Sequence, residues 1–388
     1  MNILFIAYNI NLHSRTGDAV HVCELSKNMA ALGNKITLIA GYNPNFEKDP
    51  ETIAGNPNID LYYLKEPKIK YPRYKDVELL SVCLKLAKKS SPDIIYERNF
   101  SCKIGAILKT ILGVPLIVEI NGVYEEEIRL EKGFLLSKKK IISDWLKKAF
   151  YRRAETIITV SPLIKDKLIE RYNLEGKDIE VVSNGADTEL FCPLDKDTSK
   201  TQLKLSQGAK YICFVGNLTA WQGLDSLINA APLIIEQNPD IRFLIVGDGI
   251  MRGELERMTK ENNTHEYFIF VGSVPFTDVP LYINSSELCV ALFSLNRKCS
   301  PLKVFEYLAC GRPVIISDLG DDTQLFEKCA AVYFLRSQNP LDISNMVTDV
   351  LKKYCSEENS TKSRKFIVEN YTWKDTARKV ISICNREI

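Results

Sequence analysis

The residues with the clearest chemical signal lie in the stretch Ser300-Pro-Leu-Lys-Val-Phe-Glu-Tyr-Leu-Ala-Cys-Gly-Arg-Pro-Val314. Ser300 has a side chain that can cap a helix, and Pro301 suits the first turn of a helix. Gly311 and Pro313 are typical of the end of a helix. The stretch therefore predicts a short helix with a defined start and a defined end.

The start of this predicted helix favours an anion. The backbone amides of Leu302 and Lys303 would have no partner within the helix, and a lysine beside the positive end of a helix is favourable when an anion binds there. Phosphate is the usual anion at such a position. Glu306, one turn later, would accept hydrogen bonds from sugar hydroxyls. These residues indicate a nucleotide-sugar site, and the alternative is an ordinary capped helix in an α/β sheet.

The same stretch resembles the donor-binding motif of the family 4 (group 1) glycosyltransferases, which have the GT-B fold. The resemblance implies that Glu306 binds the ribose of the nucleotide and that the amides at the helix start bind its diphosphate. The implied donor-binding residues here are Ser300, Leu302, Lys303 and Glu306. The common form of the motif has a further Glu where this chain has Lys298, so the chain is closer to the Ser-Pro-Leu-Lys variant.

Length and composition set the frame for this interpretation. The chain has 388 residues, of which 45% are hydrophobic and 26% are charged, and this length suits two domains. A net charge of +2 does not favour nucleic acid as a partner. The eleven cysteines form no CxxC pair, so we expect free thiols and a reducing compartment. With no signal peptide and no long apolar run recognised, we expect a cytoplasmic protein.

Apolar runs and helical stretches alternate along the chain and do so twice. The predicted strands of the first series are Ile3–Ala7, Ile36–Ala40, Ile59–Leu64, Ile94–Tyr96, Leu116–Glu119, Thr156–Val160 and Ile179–Val182. Those of the second series are Tyr211–Val215, Phe243–Val246, Phe268–Val271, Leu288–Leu292 and Val314–Ser317. The pattern predicts an α/β protein with two doubly wound, Rossmann-like domains.

We place the first domain at residues 1–190 and the second at 191–372. The stretch Phe191–Gln207 is rich in Pro, Asp, Ser, Thr and Lys and is interpreted as a linker. The resemblance implies that a final helix, 373–388, packs back on the first domain and that the two domains face each other across a cleft.

Further sequence segments resemble the family over most of the chain. They are Gly17-Asp-Ala-Val-His-Val-Cys-Glu-Leu25, Ser183-Asn-Gly-Ala-Asp-Thr-Glu-Leu-Phe191, Val246-Gly-Asp-Gly249 and Val271-Gly-Ser-Val-Pro275. The resemblance implies that Gly17 and Gly216 lie at the diphosphate and that Val274 lies close to the base. Read alone, Gly17 is equally a turn glycine before a helix.

Two positions depart from the family. Members commonly have Arg and Lys where this chain has Asn217 and Gln222. Both side chains can donate hydrogen bonds, but neither is charged. Either Lys303, together with Arg297 or Lys298, supplies the missing charge, or the donor binds weakly. We favour compensation by Lys303.

Polar residues also follow two predicted strands of the first domain, where open α/β sheets place ligands. Glu119, Asn121 and Gly122 end one strand, and Arg98 ends the preceding one. We predict that Arg98, Asn121 and Gly122 lie on the acceptor side, and that Glu119 and Lys303 are catalytic. The alternative for each polar residue is an ordinary hydrogen bond at a strand end.

The sequence does not favour metal or cofactor chemistry. His13, His21 and His265 are scattered and have no ligand spacing. Asp195-Lys-Asp197 matches the metal-binding pattern of GT-A transferases but lies in the interpreted linker. Gly247-Asp-Gly249 lacks the third glycine of the dinucleotide fingerprint, which argues against a dehydrogenase. We expect no metal and no other cofactor.

Residues 134–153 form the most basic run of the chain, with apolar residues at roughly helical spacing and Trp145 among them. A basic amphipathic helix of this kind can lie on an anionic membrane surface. The alternative is that its apolar face packs on the sheet. Peripheral contact with the inner face of a membrane is therefore the expectation tied to this segment.

These features predict a retaining, metal-independent glycosyltransferase. It would move a sugar from a UDP- or GDP-type donor to a glycan, a lipid-linked acceptor or a small molecule, in polysaccharide or glycolipid biosynthesis. Two alternatives remain open at this point. One is a nucleotide-sugar 2-epimerase, and the other is a non-catalytic GT-B subunit.

Overall fold

A computed structural model gives the fold. It describes residues 1–13, 16–41, 50, 52–64, 72–98, 103–122, 138–294, 301–318, 321–353 and 357–388. The chain divides into two compact units, of which the first contains Met1–Asn184 and Trp373–Ile388 and the second contains Gly185–Thr372. The division falls after Asn184, whereas the predicted boundary lies after residue 190.

The first unit contains a seven-stranded parallel sheet with the order β3-β2-β1-β4-β5-β6-β7. Its strands are β1 Asn2–Asn11, β2 Lys35–Gly41, β3 Ile59–Leu64, β4 Ile94–Arg98, β5 Leu116–Ile120, β6 Thr156–Thr159 and β7 Ile179–Val181. The strand order reverses at β1, so the carboxyl ends of β1 and β4 form the kind of edge at which such sheets bind ligands.

Helices connect these strands. They are α1 Gly17–Ala31, α2 Pro72–Ser90, α3 Lys103–Leu112, α4 Lys138–Tyr151 and α5 Pro162–Tyr172, with α14 Trp373–Glu387 at the end of the chain. The C-terminal helix α14 packs against α1. Its apolar residues Ala377, Val380, Ile383 and Cys384 join the buried core on that side of the sheet.

The second unit repeats the plan with six parallel strands in the order β10-β9-β8-β11-β12-β13. Its strands are β8 Lys210–Val215, β9 Ile241–Val246, β10 Phe268–Gly272, β11 Leu288–Ala291, β12 Val314–Ser317 and β13 Val332–Leu335. Its helices are α6 Lys196–Gln202, α7 Leu224–Gln237, α8 Arg252–Glu261, α9 Val279–Asn284, α10 Leu302–Ala309, α11 Asp321–Gln324, α12 Pro340–Lys353 and α13 Glu357–Asn370.

The central strands are buried because helices cover both faces of each sheet. All four residues of β12 are buried, as are all five of β4. This confirms the predicted α/β class with two doubly wound sheets. Strand β13 is missing from the sequence-based prediction, and it has only four residues.

The interpretation of Phe191–Gln207 as a linker is wrong. Phe191 is fully buried, and the stretch contains helix α6, which begins at the cap residue Asp195. Lys200 is buried and donates to the Ala209 carbonyl at 2.7 Å. The polar composition of this stretch reflects helix capping and buried hydrogen bonds.

Candidate functional site

Helix α10 is held against the sheet of the second unit by its apolar side. Val304, Phe305, Tyr307 and Leu308 are all fully buried. The Tyr307 hydroxyl accepts a hydrogen bond from the Val215 amide at 2.8 Å, and this fixes α10 to the end of β8. The start of α10 therefore lies at the carboxyl end of the strands, where the sequence places the donor.

The ends of α10 differ partly from the prediction. Pro301 is the N-cap residue, with φ −80° and ψ 89°, and it precedes the first turn instead of forming part of it. The proline ring restricts φ to a value that a helix allows, but the ψ of Pro301 is not helical, so the helix begins at Leu302. Gly311 follows the last turn with φ +70°, a conformation that glycine adopts without strain. Ser300, Arg297 and Lys298 lie outside the described residues.

The Lys303 ammonium lies beside the end of β8. Its Nζ donates to Oε1 of Gln222 at 2.7 Å and lies 3.9 Å from the centre of the Phe214 ring. A Cβ added at Gly216 would be 2.7 Å from Nζ, so a larger residue there would displace the ammonium. The structure thus brings together Gly216 and Gln222, from the segment after β8, and Lys303 from α10.

Glycines allow close backbone packing around this ammonium. Gly216 has φ +149° and Gly247 has φ +126°. A Cβ at Gly247 would lie 2.0 Å from the Gly216 carbonyl oxygen, which excludes a side chain. Asn217, the next residue, is exposed. The backbone of Gly216 therefore borders the Lys303 ammonium.

The other predicted donor residues lie on the same unit. Glu306 is largely buried, with 9% of its surface exposed, one turn after the half-buried Leu302. Val274 follows β10, is half-buried and packs against the apolar core of the second unit. Glu306 is part of α10, whereas Val274 lies in the loop after β10.

A second polar cluster lies in the first unit, centred on Glu119 at the end of β5. The Tyr96 hydroxyl donates to Oε2 of Glu119 at 2.6 Å. Oε1 is 2.7 Å from Nε2 of His21, accepts from Nδ2 of Asn121 at 2.6 Å and is 3.4 Å from Nε of Arg98. Only 2% of Glu119 is exposed.

These partners control the charge of Glu119. Burial raises the pKa of its carboxyl, but the neighbouring His21 and Arg98 and the Tyr96 hydroxyl outweigh that effect and lower the pKa to about 2. A carboxylate with so low a pKa is a weak base. Its four polar partners also leave it little freedom to approach a substrate, so the geometry favours a positioning role.

Arg98 is also engaged. Its Nη2 donates to Oδ1 of Asp18 at 2.7 Å, while its Nε faces Glu119. Asp18 is in the first turn of α1 and its side chain is 66% exposed. The Arg98 guanidinium therefore bridges a buried and an exposed carboxylate.

His21 was not predicted from the sequence as a site residue. It is 3% exposed, and its Nδ1 lies 2.8 Å from Oδ1 of Asn184, while its Nε2 faces Glu119. The Trp373 ring meets it edge to face at 5.1 Å. The Gly17-to-Leu25 phrase contained His21, but only the fold shows that it contacts Glu119.

The glycines predicted for the first unit lie near this cluster in the chain. Gly17 is the first residue of α1 and is exposed, and the side chain of the N-cap residue Thr16 makes no capping hydrogen bond. Gly122 is buried after β5, one residue beyond Asn121.

Comparisons with known proteins connect both units to one family. The model of glycosyltransferase family 4 matches residues 16–190, and the model described as glycosyl transferases group 1 matches residues 209–353. The chain belongs to the family 4 (group 1) glycosyltransferases. The resemblance read from the donor motif is thereby confirmed, and so is the expectation that the chain is a glycosyltransferase enzyme.

Curated relatives match this glycosyltransferase over nearly its whole length. An uncharacterised glycosyltransferase of Methanocaldococcus jannaschii is 23% identical over 95% of this chain and 93% of its own. Spore coat protein SA of Bacillus subtilis is 23% identical over 99% of both chains.

Solved structures confirm the GT-B fold of the glycosyltransferase. Sucrose-phosphate synthase of Thermosynechococcus elongatus has a TM-score of 0.82 at 18% identity, covering 99% of this chain and 98% of its own. HepE of Anabaena, solved in complex with UDP, has a TM-score of 0.77 at 16% identity and covers all of both chains.

The Asp195-Lys-Asp197 pattern of this glycosyltransferase lies at the start of α6. Among the described residues, no group of three His, Cys, Asp or Glu side chains could hold a metal ion. Asp195 of the Asp-x-Asp pattern accepts hydrogen bonds from the Thr198 amide at 2.8 Å and from the Thr198 hydroxyl at 2.6 Å. That carboxylate caps α6.

The basic segment of the glycosyltransferase contains helix α4. The structure describes its backbone from Lys138 and its side chains from residue 144, and residues 134–137 lie outside the described part. Trp145 is 67% exposed and Leu146 is 42% exposed. Within the described residues, none of the helices combines the length and apolar character needed to cross a membrane.

Proposed function

We propose that this glycosyltransferase retains the configuration of the transferred sugar, uses a nucleoside-diphosphate sugar and needs no metal ion. The observation that carries the proposal is the Lys303 ammonium, which lies at the end of β8 beside Gly216 and Gln222. A cation, glycine backbone and the start of α10 together suit a diphosphate.

The donor is proposed to bind mainly to the second unit. The backbone amides at the start of α10 and the Lys303 ammonium bind the diphosphate, and Glu306 accepts hydrogen bonds from the ribose. Charge-assisted hydrogen bonds of this kind are the strong ones. HepE of Anabaena was solved with UDP and with UDP-glucose, and this supports uracil as the first base to test.

The contact between Lys303 and Gln222 supports compensation for the missing cation. Family members commonly have a lysine at the position of Gln222, and here Gln222 accepts a hydrogen bond from the lysine on α10. In this chain the positive charge comes from helix α10 and lies near Gly216.

In the proposed reaction the departing diphosphate also accepts the proton of the acceptor. The bond between the anomeric carbon and the diphosphate oxygen breaks, and the acceptor oxygen bonds to the same face of the sugar. The acceptor proton passes to the departing diphosphate. Lys303 stabilises the negative charge that grows on the diphosphate, which is the form of catalysis that preorganised charges provide. Glu119 orders Arg98 and His21 in the first unit, where we propose that the acceptor binds.

A nucleotide panel tests the donor. The melting temperature of the chain is measured with UDP, GDP, UDP-sugars and GDP-sugars, because a ligand that binds only the folded state raises it. We expect one base to shift the melting temperature by several degrees and the other to shift it much less. No shift with any nucleotide would contradict the proposed donor site.

Product analysis tests the reaction class. With the matched donor and candidate acceptors, we expect an anomeric configuration in the product equal to that of the donor. An epimerised free nucleotide sugar formed without acceptor would show isomerase chemistry instead. We also expect the same rate after treatment with EDTA, and an absolute requirement for added Mg²⁺ or Mn²⁺ would contradict a metal-independent mechanism.

Peripheral membrane contact through α4 is proposed for the acceptor side. An exposed Trp145 on a lysine-bearing helix suits the interface of an anionic bilayer. We expect the chain to sediment with vesicles of anionic phospholipid and not with zwitterionic vesicles, and Trp145→Ser to weaken this binding. Equal binding of the variant would remove α4 from the contact.

A further inference from the structure

The carboxyl end of helix α10 is closed by backbone hydrogen bonds. The Gly311 amide donates to the Leu308 carbonyl at 2.9 Å, and the Arg312 amide donates to the Tyr307 carbonyl at 3.0 Å. With Gly311 at φ +70°, this is the Schellman arrangement that commonly ends helices. It provides partners for two of the terminal carbonyls but not for that of the last helical residue.

Arg364 of α13 supplies the partner of that last carbonyl. Its Nη1 donates to the Ala309 carbonyl at 2.8 Å and to the Phe191 carbonyl at 3.0 Å. Its Nη2 donates to the Thr188 carbonyl at 3.0 Å. One guanidinium thus joins the end of α10 to the segment by which the chain enters the second unit.

Both the charge and the shape of the Arg364 side chain contribute to these contacts. A cation at the carboxyl end of a helix interacts favourably with the helix dipole. The planar guanidinium presents several donors in fixed directions, so it can hold three carbonyls at once. A lysine at this position keeps the charge, but its single ammonium cannot reproduce the fixed geometry.

Helix α10 is eight residues long, so its two ends are only about 12 Å apart. A short rigid helix transmits a tilt at one end to the other. Donor contacts at Leu302 and Lys303 lie at the opposite end from Arg364, and a misplacement of about 1 Å in such contacts can cost on the order of a hundredfold.

We propose that Arg364 is a positioning residue for donor binding. It fixes the carboxyl end of α10 against residues 188–191 and so sets the placement of the amides and the Lys303 ammonium at the start of the helix. This inference rests on the proposed donor site of the second unit.

The experiment compares Arg364→Gln and Arg364→Lys with Lys365→Gln. Lys365 is the neighbouring residue of α13; its side chain is 69% exposed and its Nζ lies 3.7 Å from Oε1 of Glu369. Affinity for UDP is measured by calorimetry at a temperature where circular dichroism shows each variant to be folded. A merely structural role would lower the melting temperature and leave this affinity unchanged.

We expect Arg364→Gln to raise the Kd for UDP by about tenfold and Arg364→Lys to raise it by about threefold, since misplaced contacts lose binding steeply. Lys365→Gln should bind as the wild type does. Wild-type affinity in folded Arg364→Gln, or an equal loss in Lys365→Gln, would overturn the inference. If Arg364→Gln does not fold, the affinity of Arg364→Lys decides by the same criterion.

The outcome for the wild-type chain separates this inference from the proposed function. If the wild type binds neither UDP nor, in a parallel titration, GDP, the proposed donor site fails and the inference fails with it. If the wild type binds and Arg364→Gln binds equally well, the donor site stands and only the role of Arg364 is rejected.

Discussion

The buried cluster around Glu119 and the cationic site around Lys303 use charge in different ways. Glu119 has four polar partners, and two of them, His21 and Arg98, are basic. The Lys303 ammonium donates to a neutral amide and lies over an aromatic ring.

The difference reflects what each site must do. A buried charge is tolerated when it is paired and hydrogen-bonded, and the Glu119 cluster meets this condition within the first unit itself. The hydrogen bond from Lys303 to the neutral Gln222 amide can be exchanged for one to a phosphate oxygen, and the charged acceptor makes the stronger bond. We therefore propose that the first cluster stabilises the fold and that the second binds the donor.

The largest expected effect is on stability and comes from breaking the first cluster. Glu119→Gln leaves His21 and Arg98 buried beside an uncharged amide. Removing one partner of a buried pair costs roughly 3–5 kcal/mol in free energy of unfolding. Urea unfolding of the purified variant measures this loss.

The matched control is Glu256→Gln on α8. Glu256 pairs with Arg252 at 2.9 Å, but its side chain is 41% exposed. Exposed pairs contribute little, so the control should unfold at nearly the wild-type urea concentration. Equal losses in the two variants would show that burial is not the source of the effect.

The second effect is on catalysis and comes from removing the cation of the other site. We expect Lys303→Gln to lower kcat/KM by about a hundredfold, with a larger effect on transfer than on binding, because diphosphate charge grows in the transition state. Gln222→Lys should partly rescue this variant, since the two side chains are already in contact.

A double-mutant cycle on steady-state rates provides the measurement for this pair. Strict additivity of the two substitutions would mean that positions 222 and 303 do not act on one phosphate group. A fully active Lys303→Gln would reduce the lysine to a helix residue of no catalytic importance.

The third effect concerns binding. Glu306→Ala should weaken nucleoside-diphosphate binding by roughly 1.5–3 kcal/mol, which is about 10- to 150-fold in Kd, because it removes charge-assisted hydrogen bonds to the ribose. Calorimetry with UDP measures the change. Unchanged affinity in the folded variant would exclude Glu306 from the site.

The last effect is a pH dependence of the Glu119 cluster. The pKa of Glu119 is lowered to about 2 in the folded chain, against an ordinary value of about 4.3. A depressed pKa contributes stability above the unfolded value, and this contribution is lost as the pH falls toward the folded value. The gap in melting temperature between wild type and Glu119→Gln should therefore narrow from pH 5 to pH 2. A constant gap would contradict the assigned charge.

Much of the fold could be predicted from local patterns. Strand Val314–Ser317 has the bounds read from the sequence, because a buried parallel strand forms an apolar run, and the edge strand Ile59–Leu64 also has its predicted bounds. Helix α10 was also predictable, since Pro301 and Gly311 mark its ends. These features depend on a few neighbouring residues, which is why sequence alone determined them.

The partners of the site residues were decided only by the tertiary structure. Gln222 and Lys303 are 81 residues apart, and His21 and Asn184 are 163 residues apart. No local pattern predicts such contacts, because the strand order of each sheet decides which loops meet. For the same reason the prediction that Glu119 is catalytic could not include its partners, and only the fold shows that this buried carboxylate contacts His21, Tyr96 and Arg98.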